Sequence, residues 1–167
     1  MKRHRKCDTE GKINMKICVC ADSHGNYYGL QELIDKEKPE YVYFLGDGER
    51  DWGQVELPWN TTFAAVSGNC DFMSMEPPFR KFELGGKRFF MTHGHLYGAK
   101  HGLHGLVQQA HQCNADIVLY GHTHQQKLDQ IGNIFYLCPG SMHSSDHKYA
   151  LISIDKQGNV NIELCRL

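Results

Sequence analysis

Asp116-Ile117-Val118-Leu119-Tyr120-Gly121-His122-Thr123-His124 runs from an apolar stretch straight into a glycine and two imidazoles. A strand covered on both faces reads as a near-continuous apolar run, so the two histidines emerge where such a strand would leave its sheet. Neutral imidazole is a common ligand for first-row metals. Taken alone, the pair reads as surface or structural histidines. Its meaning depends on what the rest of the chain places at comparable strand ends.

Working outward, β-branched and aromatic runs occupy residues 17–21, 41–45, 62–66 and 88–91 before this one, and 134–137, 149–154 and 160–164 after it. Helical spacing interrupts them twice. Leu30, Leu33 and Ile34 share a face within residues 28–38, and Leu103, Leu106, Val107 and Ala110 do so within 100–113. Strand, helix, strand and a longer loop predict an α/β layer architecture for the first half. The last forty or so residues read as a β meander, with Gly132-Asn133 and Gly158-Asn159 as turns. Glu76-Pro77-Pro78 is a break leading into a further strand, and residues 51–60, with both tryptophans, form the least regular loop.

At 167 residues the chain is expected to form one domain. Its 18 basic and 19 acidic residues leave no global field toward nucleic acid or an anionic membrane, so an anionic partner must be bound locally. Apolar stretches stop far short of the roughly twenty residues of a membrane helix. Residues 17–21 are too short for a signal h-region of about 7–15 residues, and a cytoplasmic location is expected. Residues 1–14 are expected to be a disordered extension or an upstream start, with the domain spanning 15–167. Seven cysteines, an odd number, read as reduced and packed thiols. Cys18 and Cys20 point to one strand face, but no second pair completes a zinc cage.

Four other runs also end in groups able to hold a metal. The first leads to Asp22-Ser23-His24-Gly25-Asn26, the second to Gly46-Asp47-Gly48-Glu49 and the third to Gly68-Asn69-Cys70-Asp71. The fourth ends in Thr92-His93-Gly94-His95. Individually these are also a helix cap, turns and a loop. In open α/β sheets, however, sites form beyond the carboxyl ends of strands, where residues a hundred positions apart converge.

In this order, Asp22-x-His24, Gly46-Asp47, Gly68-Asn69-x-Asp71, His93-x-His95 and Gly121-His122-x-His124 resemble the calcineurin-like metallophosphoesterases. More narrowly, the chain from Met15 onward is similar to the small YfcE-type phosphodiesterases. The resemblance implies a four-layer α/β/β/α sandwich with a dinuclear metal centre. It assigns Asp22, His24, Asp47 and His124 to one metal and Asp47, Asn69, His93 and His122 to the other, with Asp47 bridging. It further implies that a hydroxide bridging two divalent ions attacks a small phosphodiester in line. Mixed oxygen and nitrogen ligands suit manganese, the expected ion, and also iron, nickel or zinc.

The chain departs from the wider superfamily at Cys70, where many members carry a histidine that serves the leaving group or the phosphate, although the YfcE-type branch shares the cysteine. A thiol substitutes poorly for imidazolium. The spare imidazole is His95, a candidate for phosphate contact or proton donation, or equally a partner of the metal ligands. With Asn69 it completes the catalytic expectation. His101, His104 and His111 are expected to be solvated on the second helix. His143 and His147 follow Pro139-Gly140-Ser141 in a loop that lacks the family's usual preceding asparagine, having Cys138 there. Arg50 either reaches a phosphate or is solvated. Two alternatives to the phosphodiesterase stand beside it. One is a noncatalytic protein-binding scaffold, as the retromer subunit of this fold is; the other is a hydrolase of phosphomonoesters or nucleoside polyphosphates. Neither membrane nor stable nucleic-acid binding is expected, and homo-oligomerisation is left open.

Overall fold

The apolar runs become two five-stranded sheets in the computed structural model, which describes residues 15–167. The expectation for residues 1–14 lies outside the described residues. One sheet has the order β10-β9-β1-β2-β3, the other β4-β5-β6-β8-β7. The first sheet contains β1 (Met15–Cys20), β2 (Tyr41–Phe44), β3 (Thr62–Ala65), β9 (Lys148–Ile154) and β10 (Val160–Arg166). The second sheet contains β4 (Phe79–Leu84), β5 (Lys87–Thr92), β6 (Ile117–Leu119), β7 (Gln126–Ile131) and β8 (Ile134–Pro139). At the centre of each sheet the strands run parallel, β1-β2-β3 in one and β5-β6-β8 in the other.

Alternation along each central strand builds three layers of packing. Ile17, Val19, Met91, Ile117 and Leu119 fill the space between the sheets. Cys18 and Cys20, on the opposite face of β1, pack with Leu30, Leu33 and Ile34 of helix α1 (Tyr27–Glu37). Phe90, Val118 and Tyr120 pack on the far side with Leu106 and Ala110 of helix α3 (His104–Gln112). Burial on both faces is why these strands carry no polar alternation. The outcome is the expected α/β/β/α sandwich.

Several local expectations need correction. The C-terminal strands do not form one meander, because β7-β8 is a hairpin of the second sheet and β9-β10 belongs to the first. The polar edge strand β7, Gln-Lys-Leu-Asp-Gln-Ile, carries little strand propensity and is held by pairing with β8. Part of the expected irregular loop coils into a single turn, α2 (Glu49–Trp52). The helix expected from residue 100 begins at His104, because Gly98 and Gly102 adopt positive φ and divide the preceding chain into two 3-10 turns. His101 therefore sits in a turn, not on the helix, although it, His104 and His111 are all exposed as expected. Among the described residues no helix is long and apolar enough to cross a membrane.

Candidate metal centre

The parallel strands of both sheets point their carboxyl ends the same way, and the five motifs meet there. Asp22, Asp47 and Asn69 come from the first sheet, while His93, His122 and His124 come from the second. Asp22 and His93 are fully buried and Asp47 is 3% exposed. Ligand-capable atoms of Asp22, His24 and His124 lie within 4.8 Å of one another, as do those of Asp47, His93 and His122. Asp47 Oδ2 stands between the two groups, 3.4 Å from His93 Nε2 and 3.9 Å from His24 Nε2.

Backbone geometry fixes these positions. Asp22, His24, Asp47, His122 and His124 all have φ between 44° and 69°, the left-handed region that side chains disfavour. The two loops behind Asp47 pack so closely that a Cβ on Gly46 would come within 2.5 Å of Gly68 N, and a Cβ on Gly68 would collide with Asp47 Oδ1. Cross-sheet bonds hold the halves in register. His93 Nδ1 donates to Leu45 O at 2.7 Å, and His122 N donates to Asp22 Oδ2 at 3.1 Å.

Two residues outside the predicted set organise the loops. Asp71 accepts the backbone N–H groups of Asp47, Gly48, Glu49 and Gly68 at 2.7–3.0 Å. Asp51 Oδ2 accepts from Ser23 Oγ at 2.5 Å and Gly25 N at 2.9 Å. Asp71 was visible in the Gly-Asn-x-Asp motif; nothing local marked Asp51, which works 26 and 28 positions away.

The donor set fits cations. Because a carbonyl can only accept, His93 carries its proton on Nδ1, so a neutral His93 presents an Nε2 lone pair. That atom lies 3.1 Å from Asn69 Oδ1 and 3.2 Å from His122 Nδ1, beside the Asp47 carboxylate. His24 Nε2 and His124 Nε2 face each other at 3.4 Å, and His124 Nε2 is 3.1 Å from Asp22 Oδ1. Acceptors thus converge on shared points, where positive charge is required. Burial works against charge on both His93 and Asp47, yet their mutual attraction wins, raising the histidine and holding the Asp47 carboxyl far below the usual range. The Asp22 carboxylate likewise raises His124. Burial, then His93 and Lys100, push His122 down to about 4, leaving it a neutral donor of lone-pair density.

The remaining expectations fall around this cluster. Cys70 donates its backbone N–H to Asp47 Oδ1 at 2.8 Å, and its Sγ lies with His24 and Asp47 in a third ligand-capable group. Burial, then the Asp47 carboxylate, push its thiol up. His95 stands beside His93 and His122, with ring centroids 5.3 and 6.0 Å away. Its Nδ1 is buried with no hydrogen-bond partner among the described residues, and burial, then His93, lower its pKa. His143 lies at the edge of His24, 6.4 Å between centroids. Arg50 is exposed and lines a neighbouring cavity.

The family model of the calcineurin-like phosphoesterase superfamily domain matches residues 15–157. In sequence the chain is similar to phosphodiesterase YfcE of Escherichia coli (strain K12), 29% identical over 87% of this chain and 83% of YfcE. In structure it is similar to a predicted phosphoesterase from Streptococcus pneumoniae TIGR4, with TM-score 0.71 and 25% identity over 91% of this chain and 98% of that one. Vacuolar protein sorting 29 from Cryptosporidium parvum shares the fold, with TM-score 0.70 at 15% identity over 91% and 97% of the two chains. A family match over nearly all the described residues, together with Asp, Asn and His gathered at five strand ends, leads to one conclusion: the chain belongs to the calcineurin-like phosphoesterase superfamily.

Proposed function

We propose that the protein is a phosphodiesterase that hydrolyses small phosphodiesters at a centre of two divalent cations. The observation that carries this reading is the convergence of buried carboxylates and imidazole lone pairs on two adjoining points. Asp22, His24, Asp47 and His124 would hold one ion and Asp47, Asn69, His93 and His122 the other, with Asp47 shared. Manganese is the expected metal, and iron, nickel or zinc suit the same donors. When bound, the two ions supply Lewis acidity, activating water and neutralising charge on the phosphoryl oxygens of an in-line displacement.

The chain's own part is preorganisation. Leu45 O fixes the His93 tautomer, so that Nε2 faces the centre. Asp71 locks the loops carrying Asp47 and Asn69 through its four N–H bonds, so the carboxylate shared between the groups cannot drift. The neutral side chain of Asn69 adds an oxygen without further negative charge, which leaves its ion more electrophilic. Cys70, a thiol kept protonated by its surroundings, does not replace an imidazolium. His95 is assigned to phosphate contact, because burial favours a neutral ring that donates a hydrogen bond. A cytoplasmic location and freedom from nucleic acid belong to the same reading.

A protein-binding scaffold is the second reading, favoured by the likeness to vacuolar protein sorting 29. The filled ligand set argues for the enzyme. Metal analysis of the purified protein, with activated diesters and monoesters as substrates and Asp47→Ala as control, separates them. Bound divalent metal and diester hydrolysis that falls by about 100-fold or more in Asp47→Ala are expected. Protein without divalent metal, on which Asp47→Ala has no effect with any ester, would overturn the enzymatic reading. Faster monoester turnover would instead select a phosphomonoesterase.

A further inference from the structure

Beside the ligand groups lies a cavity of about 480 Å³ that begins at His24 and Asp47 and extends to Phe72 and Met73. Its inner end belongs to the candidate centre, so a phosphoester seated there projects its organic part into this space. Of the acidic groups on the wall beyond Asp47, two are already engaged, and Glu49 keeps a carboxylate that disfavours a second negative charge in the organic part. Asp51 is bonded to Ser23 and Gly25, and Asp71 to four backbone N–H groups. Asp51 and Asp71 shape the cavity, and the apolar and cationic side chains that meet a ligand there are Phe72, Met73 and Arg50.

Those three side chains share a chemistry. A phenyl face, a thioether and a planar guanidinium each receive a flat aromatic ring. Phe72 is 80% exposed and Met73 98% exposed, so neither contributes to the core. Met73 also holds φ at +57°, a strained conformation for a residue that buries nothing. Large apolar groups held in water at the mouth of a polar site mark a recognition surface. A small alkyl group would leave this wall untouched.

We propose that the cavity is a subsite for the organic half of the substrate, and that it selects phosphodiesters bearing an aromatic group, aryl or nucleobase. The proposal rests on the phosphodiesterase reading for its substrate, but its test does not require turnover. Manganese-loaded protein is titrated with phenylphosphonate and methylphosphonate, and with thymidine 5′-phosphorothioate to distinguish a nucleobase from a simple aryl group. Phenylphosphonate should bind about tenfold more tightly than methylphosphonate, and Phe72→Ala should reduce that ratio to within about twofold. The high exposure of Phe72 means that the variant folds, which its melting temperature checks. Thymidine 5′-phosphorothioate affinity that falls with Phe72→Ala supports the nucleobase form, and affinity indifferent to it supports the aryl form. Equal affinity for the two phosphonates, or a ratio unchanged in Phe72→Ala, would overturn the subsite. If bis(p-nitrophenyl) phosphate is hydrolysed while the preference is missing, only the subsite falls. If the preference is present without hydrolysis, only the phosphodiesterase reading falls.

Discussion

Five of the seven residues proposed as ligands have left-handed backbone, in a chain where only nine described residues other than glycine do. Each such position costs about 1 kcal/mol or more, so the site is held against local preference by the sheets around it. His24 offers a clean measure, since its side chain is partly exposed and its φ is 44°. In the presence of a chelator, His24→Gly should raise unfolding stability by about 0.5 kcal/mol, the strain released less the entropy glycine adds to the unfolded chain, while weakening metal binding. A chelated variant less stable than wild type in urea titration would contradict the strain. The identities of the ligand candidates could be read from the sequence because carboxylate, amide and imidazole follow apolar runs. Their dihedral angles could not, since a left-handed His24 is imposed by contacts with loops elsewhere in the chain. Asp71 lies between these cases: its motif was visible, but not that its carboxylate would gather four N–H groups.

At the scale of elements, legibility followed packing. Helix α1 was readable because Leu30, Leu33 and Ile34 form one buried stripe, and its Asn26 cap accepts Gly29 N at 3.1 Å. Strand β7 was not, because neighbours and not its own residues make it a strand. The far end of α1 is tied down by Glu37, which pairs with Lys16 of β1 at 2.8 Å and accepts from Tyr149 of β9 at 2.5 Å. Burial pushes the Glu37 carboxyl up, but Lys16 and Tyr149 together outweigh it and hold the group below its ordinary value of 4.5. A depressed folded-state pKa gives stability that is fully present above the unfolded value and is lost as pH falls through the folded one. Urea midpoints of wild type and Glu37→Gln should therefore differ most near pH 6, begin to approach each other only as pH falls below 4.5, and meet below the depressed folded-state value. A gap that stays constant down to pH 3 would exclude this linkage.

On the scale of the whole molecule, the sandwich closes differently along its two long sides. Where β7 faces β9 and β10, Gln126 Nε2 donates to Tyr149 O at 2.8 Å and Cys165 O at 2.7 Å, stitching one sheet to the other. On the side of β3 and β4 contact is aromatic, with Tyr43 of β2 and Phe82 of β4 at a centroid distance of 4.9 Å beside a groove of about 440 Å³. Gln126→Leu should cost about 1–3 kcal/mol by leaving two carbonyls without a donor, as read by chemical denaturation. A neutral result would mean that water replaces the amide there. The layer order was accessible from the sequence through the resemblance, whereas the division of the last four strands between sheets depends on pairing partners that no local pattern names.

Each proposed ion draws donors from both sheets, Asp22 and His24 with His124 in one group, Asp47 with His93 and His122 in the other. Opening the sandwich therefore dismantles both ion sites at once. A cation that binds only the folded chain adds about 2.7 kcal/mol per site when its free concentration is a hundredfold above Kd. In a cell starved of that metal a larger fraction of the chain would stand open to proteolysis, so the amount of protein, beyond its turnover, would follow the cation supply.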